Sequence, residues 1–155
     1  LDPAEVDRLG ARGIESVDSP DADAERTVAD VMTSDPLVVA PESTLDDVAA
    51  QMRERDVGSA AVAASGRLVG ILTARDLLRA LAGGVHSDEA RVSEWMTAEP
   101  VAVPATTTLD AAVTLMTDYG IHHLPVVEGD RPVGMIELAQ AARYAVRRTG
   151  IGLGF

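Results

Sequence analysis

The clearest candidate for chemistry lies in residues 70–76, GILTARD, where an apolar run ends and a helical pattern begins. Thr73 and Asp76 would flank the first turn of that helix, whose free backbone N–H groups attract an anion. The Asp76 carboxylate can also accept two hydrogen bonds from a cis diol such as that of ribose. The same pair forms a capping arrangement, in which Thr73 accepts a backbone N–H and Asp76 reaches back. The local sequence favours capping and leaves sugar binding open.

The chain is built from two copies of one unit. A shift by 64 residues superimposes many identical residues, and such internal repeats organise a whole fold. The matches are Val28 with Val92, Met32 with Met96, Thr33 with Thr97, Pro36 with Pro100, Thr44 to Asp46 with Thr108 to Asp110, Met52 with Met116, Val62 with Val126, Arg67 with Arg131, Val69 with Val133 and Gly70 with Gly134.

The two copies differ at the candidate pair. Glu137 and Gln140 stand in the second copy where Thr73 and Asp76 stand in the first. A fold would tolerate this exchange, but a carboxylate that binds a diol would be lost. The sequence therefore predicts one competent site, in the first copy, and one weak or empty counterpart.

Each copy predicts a helix, a strand, a helix, two strands and a helix, a mixed α/β (α+β) pattern. Apolar residues spaced i, i+3, i+4, i+7 from Leu45 and from Leu109 predict amphipathic helices, with Thr44 and Thr108 as N-caps. One copy of about 57 residues buries little apolar surface alone. We therefore expect the two copies to pack about a pseudo-two-fold axis, with clefts at the seam between them.

The repeat also divides the chain. We expect an acidic N-terminal segment at 1–26, a first repeat at 27–84, a linker at 85–90, a second repeat at 91–149 and a tail at 150–155. The N-terminal segment has the charge of a solvated stretch that orders only against a partner.

These motifs resemble a tandem pair of CBS domains, the arrangement also called a Bateman module. The resemblance covers residues 27–149. Its carriers are 30–33 (DVMT) and 94–97 (EWMT), each followed by Pro, together with 68–76 (LVGILTARD), 122–127 (HHLPVV) and 131–136 (RPVGMI). The resemblance implies a small three-stranded sheet with helices in each repeat, and it implies AMP, ADP, ATP or S-adenosylmethionine as ligands in clefts between the repeats.

The resemblance also implies which residues hold a ligand. In the family, the pair matched by Thr73 and Asp76 holds ribose. Four positions contributed around the same cleft correspond to Thr97, Ala102, Ile121 and His122. The mirror cleft would use Thr33, Val38, Glu137 and Gln140, where this sequence departs from the family pattern. Arg75 lies beside the ribose pair and can contact one phosphate, which slightly favours AMP, ADP or S-adenosylmethionine over ATP.

Composition excludes several classes of function. The chain has 155 residues, with 13 basic and 25 acidic side chains and a net charge of −12. All the basic residues are Arg, and such an acidic chain is a poor binder of nucleic acid. The absence of Cys excludes disulfides, thiolate zinc sites and a cysteine nucleophile. No apolar run is long enough to span a membrane, so we expect a cytoplasmic protein. An acidic, Lys-free, Ala-rich chain fits a salt-loving cytoplasm or a GC-rich genome.

No enzyme is predicted. Ser, Asp and His occur without the spacing of a hydrolase triad, and the neighbouring His122 and His123 point to opposite faces of a strand, which disfavours a shared metal. We expect a regulatory sensor that binds an adenosine compound without a required cofactor and signals to an unidentified protein partner. The alternative is an interaction module without ligand. The resemblance also implies a homodimer. The apolar helix positions of both repeats are compatible with one, namely Leu77, Leu78, Leu81, Ala141, Ala142 and Ala145.

Overall fold

The computed structural model describes residues 26–149, so the predicted tail at 150–155 and almost all of the predicted acidic segment at 1–26 lie outside the described residues. Within this range the chain forms two compact units. One unit contains residues 26–34, 101–128 and 134–149, and the other contains residues 35–100 and 129–133. Each unit therefore combines parts of both sequence repeats.

The first repeat begins with a 3₁₀ helix and continues with two helices and three strands. In chain order the elements are the 3₁₀ helix Val28–Asp30, β1 (Val38–Val39), α1 (Leu45–Arg55), β2 (Ser59–Ala64), β3 (Arg67–Thr73) and α2 (Ala74–Ala82). The second repeat follows the same order with one additional strand. Its elements are α3 (Val92–Trp95), β4 (Thr97–Ala98), β5 (Val103–Pro104), α4 (Leu109–Tyr119), β6 (His123–Glu128), β7 (Arg131–Glu137) and α5 (Leu138–Thr149).

The predicted N-caps of the two long amphipathic helices are confirmed. The Thr44 hydroxyl accepts the Asp47 N–H at 3.2 Å at the start of α1. The Thr108 hydroxyl accepts the Ala111 N–H, also at 3.2 Å, at the start of α4. Both helices end on a residue with left-handed backbone torsions, and α4 uses glycine there. Most residues selected by the spacing are buried, namely Leu45, Val48 and Met52 in α1 and Leu109, Ala112 and Met116 in α4. Ala49 and Val113, which the spacing also selects, are half-buried, and α4 buries Leu115 outside the predicted spacing.

Two small sheets support these helices. In the first, β1 runs parallel to β2, β2 runs antiparallel to β3, and β4 adds antiparallel to the outer edge of β3. The second sheet has the strand order β5-β6-β7. The expected three strands are thus present in both sheets, and the fourth strand of the first sheet was not predicted. A two-residue strand has too little periodicity to be recognised from sequence.

The fourth strand belongs to one of two lead-in segments, residues 26–34 and 90–98, with which the repeats begin. In the first unit, residues 26–34 bond to the body of the second repeat: Leu109 N–H donates to the Arg26 carbonyl at 2.9 Å, and Thr33 bridges Met135. In the second unit, residues 90–98 bond to the first repeat, where Leu45 N–H donates to the Ala90 carbonyl at 3.0 Å. The repeats therefore exchange their lead-in segments, which explains why the compact units cut across the repeat boundaries.

The core of the second unit is aliphatic, as the low aromatic content required. Buried residues of α1, β2 and β3 meet the buried Val92 of the lead-in segment. The cluster contains Leu37, Val39, Leu45, Val48, Met52, Ala60, Val62, Leu72, Ala80, Ala90 and Val92. The burial of Val92 in this cluster gives the lead-in segment an apolar anchor in addition to its backbone bonds. Among the described helices, none is long and apolar enough to cross a membrane.

Candidate functional site

The Thr73–Asp76 pair forms a closed hydrogen-bonded turn at the start of α2. The Thr73 backbone N–H donates to Asp76 Oδ2 at 2.9 Å, and the Thr73 hydroxyl lies 3.1 Å from the same oxygen. The Asp76 N–H in turn donates to Thr73 Oγ1 at 3.3 Å. This reciprocal pattern is a capping box, so the capping interpretation of the sequence is confirmed. The Asp76 residue is 5% exposed, so its carboxylate is rigidly held.

The other carboxylate oxygen of Asp76 meets a cation. Arg79 Nη1 donates to Asp76 Oδ1 at 3.2 Å, and the Arg79 side chain is 66% exposed. An ionised carboxylate has about four acceptor positions, and Thr73 and Arg79 supply three donors. Asp76 therefore retains acceptor capacity on the side where a solvent-exposed guanidinium now sits.

The backbone fixes where this turn lies. Ala74 N–H donates to the Gly58 carbonyl at 3.0 Å, which holds the first residue of α2 against the start of β2. The buried Ser59 is the cross-strand partner of Thr73. On the other side of β3, Thr97 pairs with Ile71 and is exposed. Thr97 therefore lies on the strand next to β3, opposite Ile71, which precedes Thr73 by two residues.

The predicted cleft residues fall in both compact units. Thr73, Asp76, Thr97 and the exposed Arg75 lie in the second unit. The remaining residues predicted for this cleft lie in the first unit, where Ala102 and Ile121 are half-buried and His122 is exposed. Val38, predicted for the mirror cleft, lies in the second unit and is 44% exposed. The other three mirror residues, Thr33, Glu137 and Gln140, lie in the first unit.

The mirror position in the second repeat has a different polar network. Leu138 N–H donates to the His122 carbonyl at 2.8 Å, so α5 begins as α2 does. Glu137, however, is exposed, and the Gln140 side chain reaches a different partner. Gln140 Nε2 donates to the Val31 carbonyl at 2.8 Å, across 109 residues of sequence. The amide that replaces Asp76 therefore fastens a lead-in segment to a helix.

His123 occupies the position of Ser59 in the second repeat. It is half-buried, and this burial lowers the pKa of His123 below its usual 6.5, with the charge of His122 acting in the same direction. The nearby Glu137 carboxylate opposes the shift. His123 is therefore held toward its neutral form, which suits a structural position better than a cationic one.

Sequence reasoning missed two features of the site. Arg79, which neutralises Asp76, follows it by three residues, a spacing at which opposite charges meet on a helix. That signal was present in the sequence and not used. The exchange of lead-in segments gave no local signal, because the contact between Gln140 and Val31 depends on tertiary packing.

Comparison with known proteins identifies the repeats. The family model for the CBS domain matches residues 28–83 and 92–147. The CBS domain-containing protein YhcV of Bacillus subtilis is 35% identical over 117 residues, covering 75% of this chain and 83% of that protein. Hypoxic response protein 1 of Mycobacterium tuberculosis is 29% identical over 120 residues, covering 76% and 84% respectively.

Solved structures agree on the fold. The crystal structure of Hypoxic Response Protein I, which contains two coordinated zinc ions, superimposes with a TM-score of 0.66 at 28% identity and covers 76% of this chain and 97% of that one. By contrast, residues 26–149 of the CBS-like chain described above contain no group of three or more His, Asp or Glu side chains that could hold a metal ion. The CBS pair of protein MJ0100, solved with 5′-methylthioadenosine and S-adenosyl-L-methionine, gives a TM-score of 0.70 at 24% identity, covering 76% and 97%. This chain belongs to the CBS-domain family and carries two CBS domains in tandem.

Proposed function

We propose that this CBS pair is a regulatory module that binds an adenosine compound where β3 meets α2 in the first repeat, and that it signals to a partner protein. The observation that carries the proposal is the Thr73–Asp76 capping box, which places a buried carboxylate and a hydroxyl at a helix N-terminus in one repeat only. The proposal is supported by the CBS pair of protein MJ0100, which was solved in complex with two adenosyl compounds.

The geometry of Asp76 suits a sugar diol. Its Oδ2 is held by Thr73, so the orientation of the carboxylate is set before a ligand arrives. A ribose that donates two hydroxyl hydrogens to Asp76 would use its remaining acceptor capacity and compete with Arg79 for Oδ1. Because the carboxylate is already oriented, binding of a ligand there costs the protein little conformational entropy.

Charge narrows the ligand class. A net charge of −12 repels a polyphosphate at low ionic strength, and the screening length falls to about 3 Å in molar salt. Arg75 and Arg79 are exposed one turn apart beside Asp76 and can meet one phosphate group. These charges favour AMP, ADP or S-adenosylmethionine over ATP.

Calorimetric titration of the purified protein with AMP, ADP, ATP and S-adenosylmethionine, at low and molar salt, tests the proposal. We expect saturable binding of at least one ligand at one site per chain. Asp76→Asn should weaken it at least tenfold, because a neutral amide is a poorer acceptor for the diol. Asp30→Asn is the matched control: Asp30 accepts the Thr27 N–H at 3.0 Å in a similar capping box but has no proposed ligand.

Two results would contradict adenosine binding at the Asp76 site. The first is the absence of heat and of any melting shift with all four ligands at both salt concentrations. The second is equal affinity in Asp76→Asn and the unaltered protein, since the carboxylate would then only cap α2. In that case Asp76→Asn and Asp30→Asn should each cost stability alone, from a few tenths to about 1 kcal/mol.

An interaction module without ligand is the second candidate, and one surface favours it. Leu78 and Leu81 of α2 are 66% and 61% exposed, and exposed leucines one turn apart are typical of an assembly surface. We propose that they lie in a homodimer. Light scattering should report a dimer that Leu78→Gln with Leu81→Gln converts to monomer. A dimer unchanged by both substitutions would exclude this surface.

A further inference from the structure

The linker between the repeats forms one wall of a cavity that the adenosine proposal does not use. The cavity has a volume of about 440 Å³ and is lined by Val85, His86, Glu89, Ala90, Glu94 and Trp95. All six residues belong to the second compact unit, and Asp76 is not among them. The volume lies within the range of about 300–1,000 Å³ typical of small-molecule sites.

The frame of this cavity is fixed by backbone hydrogen bonds. The His86 carbonyl accepts the N–H groups of Glu89 and Ala90 at 2.9 and 2.8 Å, which closes the linker into a turn. The linker is also tied to the start of α1, since Asp46 N–H donates to the Ser87 carbonyl at 3.0 Å. The cavity wall is therefore ordered before any ligand binds.

The lining combines an aromatic side chain with two carboxylates. Trp95 is half-buried and packs against the aliphatic core, with its ring edge close to Gly83 at the end of α2. Glu89 and Glu94 are exposed, and within residues 26–149 neither forms an ion pair. The nearby Arg91 directs its guanidinium to the Glu42 carbonyl at 2.9 Å, while its backbone N–H donates to Glu94 Oε1 at 2.7 Å. The negative charge of the lining is thus not neutralised by Arg91.

We propose that this cavity binds a guanidinium group. A tryptophan face attracts cations, and a guanidinium also stacks on it as a planar, weakly hydrated group. The two carboxylates of the lining can each accept paired N–H donors, which an ammonium group cannot supply in the same plane. The guanidinium can come from a small guanidino compound or from an arginine side chain of a peptide.

Trp95 makes the proposal directly measurable, because it is the single tryptophan of the chain. We expect saturable quenching of its fluorescence by agmatine and by a short arginine-containing peptide with blocked ends. Putrescine, which carries ammonium groups, should bind more weakly. Tighter binding of the peptide would assign the source as a protein segment, and tighter binding of agmatine would assign a small molecule.

Variants separate this site from nonspecific attraction to an acidic protein. Glu89→Gln with Glu94→Gln should weaken guanidinium binding about tenfold or more, while the glutamine oxygen at position 94 can still accept the Arg91 N–H. Glu54→Gln is the matched control, since it removes an exposed carboxylate outside the cavity. Asp76→Asn should leave guanidinium binding unchanged, so this proposal stands or fails separately from the adenosine site.

Three results would contradict guanidinium binding at this cavity. No saturable change in Trp95 fluorescence up to millimolar agmatine and peptide would overturn the proposal. Equal weakening by Glu54→Gln and by the double cavity variant would also overturn it, because the attraction would then reflect net charge. Equal affinity for putrescine and agmatine would overturn the assignment to a guanidinium.

Discussion

The two strand-to-helix junctions of this protein share a backbone and differ in chemistry. Ala74 N–H bonds to the Gly58 carbonyl in the first repeat, and Leu138 N–H bonds to the His122 carbonyl in the second. Three residues into each helix region, Asp76 closes a capping box on its own turn, whereas Gln140 reaches the Val31 carbonyl of a lead-in segment.

The difference follows from what each side chain can donate. An ionised carboxylate only accepts hydrogen bonds, so Asp76 is confined to N–H and O–H donors such as Thr73 and Arg79. A glutamine amide donates, so Gln140 can satisfy a carbonyl. The first repeat therefore has a hydrogen-bond acceptor, Asp76, at a helix N-terminus. In the second repeat the same position holds Gln140, whose side chain binds the lead-in segment.

The largest expected effect tests what the two repeats share. A Cβ on Gly70 would collide with Met96 Sδ, and a Cβ on Gly134 would collide with Met32 Sδ, in each case a methionine of a lead-in segment. Gly70→Ala and Gly134→Ala should each cost about 1–3 kcal/mol of unfolding free energy, because the added methyl group overpacks the site and the methionine side chain must move. Chemical denaturation measures the loss.

A second substitution identifies the cause of that loss. Gly70→Ala combined with Met96→Ala should recover part of the stability that the single variants lose together, because the collision is removed. Strictly additive losses would mean that Met96 does not oppose a side chain at position 70. The two repeats would then not share this packing.

The next effect concerns the hydrogen bond from Gln140 to the Val31 carbonyl. Gln140→Glu removes the N–H donor to the Val31 carbonyl, and Val31 is 6% exposed. We expect a loss of about 1–2 kcal/mol, the cost of leaving a buried acceptor unsatisfied. Gln51→Glu is the matched control, because it adds the same charge at the other glutamine of the chain, which is exposed on α1. Equal losses in the two variants would contradict the structural role of Gln140.

Much of this architecture could be predicted from the sequence, because each helix or strand has a local sequence pattern of its own. The offset of 64 residues, the apolar spacing from Leu45 and Leu109, and the caps at Thr44 and Thr108 all predicted structure that is present. The capping box of Thr73 and Asp76 was equally local, since its two members lie in one helical turn.

Non-local features left no such signal. The pairing of Gly70 with Ala98 adds a strand too short to show a period, and the Gln140–Val31 bond spans 109 residues. The exchange of lead-in segments is decided by which apolar surface Val28 and Val92 bury, and both residues are fully buried. A repeat pattern predicts that two copies pack, but it does not state which copy receives which segment.

A smaller effect concerns the charge pair at the first junction. Arg79→Gln removes the cation from Asp76 Oδ1 and should cost less than about 1 kcal/mol, because Arg79 is largely exposed and solvent screens the pair. Arg75→Gln, an exposed neighbour on the same helix, is the control. In a double-mutant cycle measured by denaturation, Arg79→Gln should couple to Asp76→Asn and Arg75→Gln should not. Equal coupling of both arginines would make the interaction a general charge effect.

The smallest expected effect comes from the position where the repeats carry Ser59 and His123. Burial lowers the pKa of His123 below its unfolded value of 6.5, so the unfolded chain binds more protons than the folded one between these values. The stability that neutral His123 provides is fully present above pH 6.5 and declines as the pH falls toward the folded pKa. His123→Ser, which copies the first repeat, should flatten the melting temperature between neutral and mildly acidic pH. His86→Asn, placed in the exposed linker, should keep the slope. An unchanged slope in His123→Ser would assign the acid sensitivity to other groups, and the two repeats would then respond alike to protons at this position.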